Sequence, residues 1–247
     1  NRVPAFVGRP IASLLSRLPR GAPRSTLNRL GRFAEALSEP PQRRYARWMM
    51  HFHPSVKSDL CTPAFIEAVG NPDSVGLIVQ AYAESDAQNL VDATMDVDVN
   101  SYLPDDLLVK VDVATMAHGL EGRSPFLDHE LMEFAASLPA DLKLRGRTKK
   151  YVLKRAARSL LPAAVVDRPK MGFGVPLDHW FRRDLREMAR DLLLGQTAAA
   201  RGYFNQAFVR RLLDDHASGA VNCHYQLWNL LMLELWHRTF IDGRAAS

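Results

Sequence analysis

Helical periodicity dominates this 247-residue sequence, and there is almost no sign of strands. Tyr45, Trp48, Met49 and Phe52 recur at the spacing of one helical face. Two prolines and two glycines make residues 167–176 a predicted loop. The pattern predicts a mainly α fold, with helices at about 11–18, 25–38, 41–52, 63–69, 75–101 (one long or broken helix), 104–118, 129–138, 148–160, 177–194, 205–217 and 222–241.

Composition excludes several protein classes. Hydrophobic residues make up 47% of the chain and charged residues 24%, so it is not wholly disordered. The longest apolar run is Leu230–Leu233, whereas a membrane-spanning helix needs roughly 20 apolar residues. Cys61 and Cys223 cannot build a disulfide framework, and neither lies in a zinc-ligand pattern. We therefore expect no membrane partner and a reducing, cytoplasmic location.

Charge is unevenly distributed along the chain. Residues 1–50 contain ten arginines, no lysine and two acids, and residues 71–112 contain nine acids and one lysine. The arginine-rich head is compatible with a transit peptide or a nucleic-acid surface. Four prolines within residues 1–25 break any long amphipathic helix there. We favour solvated charge or an anion-facing surface, and expect no nucleic-acid partner.

Asp96, Asp98 and Asn100 begin like a calcium-binding loop. That pattern requires glycine and glutamate at its sixth and twelfth positions, which are Ser101 and Leu107 here. We interpret these acids as a solvated helix face and predict no metal site.

Two other stretches contain candidate chemistry. Glu121 and Arg123 lie in a turn closed by Pro125, where they either present opposite charges to a cleft or form a structural ion pair. The loop at 167–176 places Arg168 and Lys170 beside glycines, downstream of a strongly basic segment. Such cations suit phosphate chemistry, because they stabilise the negative charge of a phosphoryl transition state. The alternative is a solvated basic surface. The upstream cations are Arg145, Arg147, Lys149, Lys150, Lys154, Arg155 and Arg158.

Four ordered blocks resemble the C-terminal part of the synthetase domain of glutamine-hydrolysing asparagine synthetases. The residues in these blocks are most similar to those of the amidotransferase branch associated with exosortase and exopolysaccharide loci. The resemblance covers roughly residues 95–243, and residues 1–94 match more loosely as a variable helical segment. The blocks are YLPDDLLVKVDVATMAHGLEGRSPFLD at 102–128, GRTKKYVLKRAA at 146–157, RPKMGFGVPLDHWFR at 168–182 and LWNLLMLELWHRTF at 227–240.

The resemblance implies an ATP-dependent, AMP-forming ligase. Such enzymes activate the β-carboxylate of aspartate with MgATP, forming β-aspartyl-AMP and pyrophosphate, and ammonia from a glutaminase domain then yields asparagine. Lys170 matches the family's loop lysine and would contact phosphate oxygens. Arg168 would support the same loop, and Glu121 with Arg123 would lie beside the nucleotide or acceptor pocket.

Departures from the family pattern are equally informative. The chain contains no SGGxDS pyrophosphate loop, no acidic magnesium-binding segment and no N-terminal cysteine nucleophile. We therefore expect this chain to be the helical C-terminal portion of an α/β ATP-pyrophosphatase (adenine nucleotide alpha hydrolase-like) synthetase domain. Residues 1–94 would be a variable helical segment of that domain, and residues 95–247 would be its conserved-type C-terminal helical part. The sheet-bearing half, with most ligands for ATP and magnesium, would lie upstream, and the chain alone would be inactive.

Val113 and Gly119 stand where a basic and a small polar residue are expected. Two alternatives therefore stay open beside asparagine synthesis. One is a related amidotransferase that acts on another carboxylate in exopolysaccharide biosynthesis, and the other is a non-catalytic helical binding module. The sequence also leaves the oligomeric state open, a homo-oligomer included.

Overall fold

The computed structural model describes residues 39–70, 73–169, 172 and 174–243. This part of the chain is mainly helical, as predicted, and its one sheet is a two-stranded hairpin. The helices predicted at 11–18 and 25–38 lie outside the described residues. No described helix has the length and apolar character needed to cross a membrane.

The α-helices, numbered in chain order, are α1 Pro41–Met49, α2 Pro54–Leu60, α3 Pro63–Ala68, α4 Ser74–Glu84, α5 Leu90–Asn100, α6 Val109–Met116, α7 His129–Ser137, α8 Ala140–Lys143, α9 Tyr151–Ala157, α10 Ala163–Val166, α11 Leu177–Arg182, α12 Arg186–Leu194, α13 Gln196–Arg201, α14 Gln206–Ser218 and α15 His224–Trp236. Wider π-helical turns cover Leu103–Leu108 and His237–Ile241, and a 3₁₀ turn covers Pro125–Leu127. The strands are β1 Leu144–Arg145 and β2 Thr148–Lys149.

Side-chain caps determine where several helices begin. The Thr62 hydroxyl accepts the Phe65 amide at 3.2 Å, and the Asp128 carboxylate accepts the Leu131 amide at 3.1 Å. Both starts agree with the sequence prediction, because a capping oxygen satisfies an amide that has no partner within its own helix. Asn89 and Asn205 cap α5 and α14 in the same way.

The helices predicted at 177–194 and 148–160 differ from the structure. The first is divided into α11 and α12, because the backbone at Arg183 takes φ −130° and ψ −88° and so leaves the helical conformation. Residues 75–101 were predicted as one long or broken helix, and they form the broken version, α4 and α5, since Asn89 caps a new start. The helix predicted at 148–160 was wrong at its beginning, where residues 144–149 form a hairpin. Arg145 pairs with Thr148 across a turn in which Gly146 takes a φ of 60°. Lys150 then adopts the left-handed conformation at φ 54°, and α9 begins only after it.

The chain divides into two compact units. The first unit contains the described residues up to Val75 and those from Gly174 onward, and the second contains the described residues between them. The first unit has a hydrophobic core to which α2, α11, α12, α14 and α15 contribute. Its most deeply buried side chains include Leu227, Leu231 and Val209.

Helix α15 buries one face only, although its sequence is apolar nearly all round. Leu227, Leu230 and Leu231 face the core, whereas Tyr225 and Trp236 are each 48% exposed. The helix packs against α11, α12 and α14, and the described residues leave its other side uncovered. Trp180 and Trp228 pack against the core, whereas Trp236 lies on the exposed side.

His216 on α14 is fully buried within this core. Its Nδ1 accepts the backbone N–H of Cys223 at 3.2 Å, so the proton is on Nε2, which donates to the carbonyl oxygen of Asp178 at 3.2 Å. Burial lowers the pKa of His216 below its usual 6.5. The neutral ring thus joins α14 to α11 and to the residue that precedes α15.

The C-terminal end of the first unit is fixed by a buried ion-pair network. Arg201 Nε lies 2.7 Å from Glu234 Oε2, and Arg201 Nη2 lies 2.7 Å from Asp242 Oδ2. Arg238 pairs with the other oxygen of Glu234 at 2.7 Å. Because the Glu234 side chain is only 5% exposed, two guanidiniums are needed to compensate its lost hydration.

The second unit has little core of its own. Among its described residues only Tyr82 and Val97 are buried, and a Lys143–Asp92 ion pair of 2.7 Å joins α8 to α5. Lys143 holds the pKa of Asp92 below its usual range. Many large apolar side chains of this unit are more than half exposed: Leu77, Val109, Val113, Met116, Leu120, Phe126, Phe134, Leu160 and Val165.

We predict that acid destabilises the first unit through His216. In the unfolded chain His216 becomes protonated near its ordinary pKa of 6.5, whereas in the folded protein burial lowers that pKa. The unfolded state therefore binds more protons, and the free energy of unfolding should fall as the pH drops below 6.5. The slope for one such group is at most about 1.4 kcal/mol per pH unit. Urea unfolding between neutral and acidic pH measures it. His216→Asn keeps an acceptor for Cys223 but does not titrate, and should flatten the profile. An unchanged profile in that variant would contradict the assignment.

Candidate functional site

Glu121 and Arg123 lie in the turn between α6 and the 3₁₀ turn at Pro125–Leu127. Arg123 Nε donates to Glu121 Oε1 at 3.0 Å, and Arg123 Nη2 donates to Glu121 Oε2 at 3.1 Å. The pair is therefore bidentate, and its side chains are 83% and 69% exposed for Arg123 and Glu121 respectively. In this geometry each of the two charges is paired with the other, and the choice between a structural ion pair and a ligand-binding pair stays a prediction.

Exposure makes this ion pair easy to open. Solvent-exposed pairs contribute about 0–1 kcal/mol, so a ligand could replace either partner at small cost. The proposed position beside a nucleotide or acceptor pocket stays a prediction.

Asp167 and Arg168, at the start of the predicted loop, differ in their contacts: Asp167 forms an ion pair, and Arg168 does not. Arg158 Nη2 donates to both carboxylate oxygens of Asp167, at 2.9 and 3.1 Å. Arg168 is exposed and has no hydrogen bond or ion pair within the described part of the chain. Lys170, the predicted catalytic residue, lies outside the described residues. A Cβ at Gly172 or Gly174 would meet no atom within 4 Å among the described residues, so packing against them does not require glycine there.

Tyr151 is a polar residue that the sequence analysis did not single out. Its hydroxyl oxygen accepts hydrogen bonds from Arg145 at 2.7 Å and from Arg155 at 3.5 Å. These arginines lower the pKa of Tyr151, and the Arg145 hydrogen bond is the larger cause. The available signal was the four-residue spacing of Tyr151 and Arg155 on a helix, but the expected helix from 148 concealed the hairpin that brings in Arg145.

Apart from the Glu121–Arg123 pair, no hydrogen bond or ion pair joins the residues proposed for chemistry within the described part of the chain. Arg168 contacts neither Glu121 nor Arg123 through a hydrogen bond or an ion pair. A groove of about 830 Å³ in the first unit, lined by Asp59, Cys61 and Arg211 among others, contains none of them.

A metal site would require several ligand side chains close together among the described residues. These residues contain no group of three or more His, Cys, Asp or Glu side chains that could hold a metal ion. Asp96 and Asn100, from the run that resembled a calcium loop, lie one turn apart on α5, where Asn100 Nδ2 donates to Asp96 Oδ1 at 2.8 Å.

Comparison with known families gives one result over nearly the whole chain. Residues 4–238 match the family model described as asparagine synthase. No solved structure matches the chain significantly.

Curated proteins with similar sequences have a consistent name. Asparagine synthetase [glutamine-hydrolyzing] 1 of Bacillus subtilis is 29% identical over 246 residues, which are 99% of this chain and 37% of that protein. A putative asparagine synthetase [glutamine-hydrolyzing] of Mycobacterium bovis is 41% identical over 65% of this chain and 24% of its own length. The glutamine-hydrolyzing asparagine synthetase of Gallus gallus is 32% identical over 45% of the chain. The chain thus spans well under half of these relatives.

The exposed Glu121–Arg123 pair should contribute little to stability. We expect Glu121→Gln and Arg123→Gln each to change the free energy of unfolding by less than about 1 kcal/mol. The matched comparison is Lys143→Met in the same unit, which leaves Asp92 without its ion-pair partner and should cost about 1–3 kcal/mol. Chemical denaturation of the three variants measures these differences. A cost at Glu121 as large as that at Lys143 would show that the pair is structural.

Proposed function

Because the chain belongs to the asparagine synthase family, we propose that it is the helical C-terminal part of a glutamine-hydrolysing asparagine synthetase. The observation that carries this proposal is the family match over residues 4–238. The reaction would join ammonia from glutamine to the β-carboxylate of aspartate at the expense of ATP. The bond that breaks in ATP lies between the α- and β-phosphates, and AMP and pyrophosphate leave.

Residues of this chain would act on the phosphate side of that reaction. Lys170 would contact the phosphate oxygens and stabilise the charge that develops as pyrophosphate leaves, since an ammonium is a compact charge on a flexible stem. Arg168 would support the same loop. Asp167, the adjacent carboxylate, is already paired with Arg158, so Arg168 has no ion-pair partner within the described residues and its charge is available. Glu121 and Arg123 would bind nucleotide or acceptor once their mutual ion pair opens.

Magnesium is implied by the family's use of ATP. When bound, it would neutralise phosphate charge during transfer. The described residues offer no cluster of acidic or histidine ligands for it, so we assign no magnesium ligand to them and no step of the reaction depends on such a site here.

Catalysis by this part would also require further polypeptide. The second unit leaves large apolar side chains such as Val113, Leu120 and Phe126 exposed, each by more than 60%. Apolar surface on this scale is typical of an interface with another chain or domain. Its proposed cover is the remainder of the synthetase, which would also contribute the pyrophosphate loop and the glutaminase.

The isolated 247-residue chain should therefore release no pyrophosphate from ATP in the presence of aspartate and ammonia, whereas a full-length parent enzyme should. A coupled pyrophosphate assay on both proteins measures this, and an acceptor series of other carboxylates identifies the substrate. Turnover by the chain alone would refute the need for a further part. Activity of the parent on another carboxylate but not on aspartate would favour the related amidotransferase.

In the full-length enzyme, Lys170→Ala should slow adenylation by about 10²–10³-fold, the scale of losing one transition-state donor. Lys170→Arg should restore activity only in part, because a planar guanidinium does not replace a mobile point charge. Pre-steady-state pyrophosphate release at saturating ATP is the measurement. Glutamine hydrolysis assayed on its own serves as the control and should persist. Equal burst rates in wild type and Lys170→Ala would remove Lys170 from the site.

A further inference from the structure

Two arginines of the second unit converge on one oxygen atom. Arg145 Nη1 lies 2.7 Å from the Tyr151 hydroxyl, and Arg155 Nη1 lies 3.5 Å from the same oxygen. The Arg145 guanidinium also lies 5.0 Å from the centroid of the Tyr151 ring. The two positive groups are therefore held as neighbours by a neutral side chain.

The backbone of the hairpin creates this convergence. Strands β1 and β2 fold back through Gly146, so that Arg145 lies directly opposite Thr148. Lys150 then takes a left-handed conformation, which a residue other than glycine rarely adopts, and α9 begins with Tyr151. Arg155 follows four residues later on the same face of α9. Strain at Lys150 thus accompanies the placement of Tyr151 between two cations.

No carboxylate compensates these charges. Within the described part of the chain, neither Arg145 nor Arg155 forms an ion pair, and the same is true of the exposed neighbours Arg147 and Lys149. Elsewhere in this unit arginines do find carboxylates, as Arg123 and Arg158 show. Like charges held together without a counter-ion repel one another, and an anion between them would relieve that repulsion.

We propose that Arg145, Tyr151 and Arg155 form a binding site for a polyphosphate anion, either pyrophosphate or the phosphate tail of a nucleotide. Both arginines donate to the Tyr151 oxygen, so the hydroxyl proton is free to donate to a ligand. A carboxylate is matched by one guanidinium fork, whereas two forks suit an anion with several charged oxygens. Arg147 and Lys149 on the hairpin raise the local positive potential. None of these residues has a part in the proposed amidation, so the site does not depend on that proposal.

Isothermal titration of the 247-residue chain with pyrophosphate tests the site directly. We expect Arg145→Gln and Arg155→Gln each to weaken binding by about tenfold or more, the scale of a lost charged hydrogen bond. Tyr151→Phe should weaken it by a smaller factor. The matched control is Arg210→Gln on α14, because Arg210 is exposed and has no partner within the described residues. That variant should bind as wild type does.

A second readout follows the Tyr151 phenol itself. A bound anion should raise the pKa of Tyr151, which the two arginines lower in the free protein. The ultraviolet titration of phenolate, taken as wild type minus Tyr151→Phe, reports this shift with and without pyrophosphate. Parallel titrations with ATP and adenosine identify the source, since ATP binding that depends on Arg145 assigns a nucleotide tail.

Three outcomes would overturn the proposal. The first is equal loss of binding in Arg145→Gln and Arg210→Gln, and the second is a Tyr151 titration that pyrophosphate leaves unchanged. The third is binding of duplex DNA as strong as that of pyrophosphate and equally sensitive to every arginine, which would indicate a general basic surface. The titrations contain neither aspartate nor ammonia, so a failure to make asparagine would leave their result intact.

Discussion

The first unit depends on a buried histidine whose two ring nitrogens are both hydrogen-bonded. His216 binds the backbone on either side of it, at Asp178 on α11 and at Cys223 just before α15. An unsatisfied buried polar atom costs about 1–3 kcal/mol, so the ring selects the one arrangement in which α11, α14 and α15 meet its nitrogens. Phe181 packs its edge against the same ring, with centroids 6.3 Å apart. The apolar packing around Leu227 therefore has a polar element that fixes its register.

The described residues of the second unit contain no comparable buried polar centre. Its elements are held by local devices, such as the Lys143–Asp92 pair and the hydrogen bond of 2.8 Å from Tyr82 to Thr94. Since few of its apolar side chains are buried, little of its stability can come from the hydrophobic effect within the unit. The same lack of burial leaves Glu121, Arg168 and Tyr151 accessible. A unit of this kind suits a role completed by contact with other polypeptide and with substrate.

Local sequence signals predicted the helix starts well, and signals that depend on tertiary packing did not. Thr62 and Asp128 cap their helices through contacts within three residues, so the sequence alone specifies them. The hairpin at 144–149 and the start of α9 depend on positive φ angles at Gly146 and Lys150. The helical pattern across 148–160 gave no indication of these angles. Helix α15 is apolar nearly all round, yet only its partners determine which face is buried. In the candidate site, the Glu121–Arg123 pair could be foreseen from spacing, but the approach of Arg145 to Tyr151 could not.

The partners of the arginines determine which of them can bind an anion. Arg123, Arg158 and Arg201 each lie within 3.0 Å of a carboxylate oxygen, so their charge is balanced as long as that ion pair stays closed. Arg145 and Arg155 instead share a neutral hydroxyl. A count of cations over residues 145–158 therefore overstates the anion-binding surface, because Arg158 is committed to Asp167. The fold therefore selects among the arginines of this basic sequence. A carboxylate neutralises each arginine that it pairs with, and the arginines without such a partner keep the unbalanced charge that a phosphate would bind.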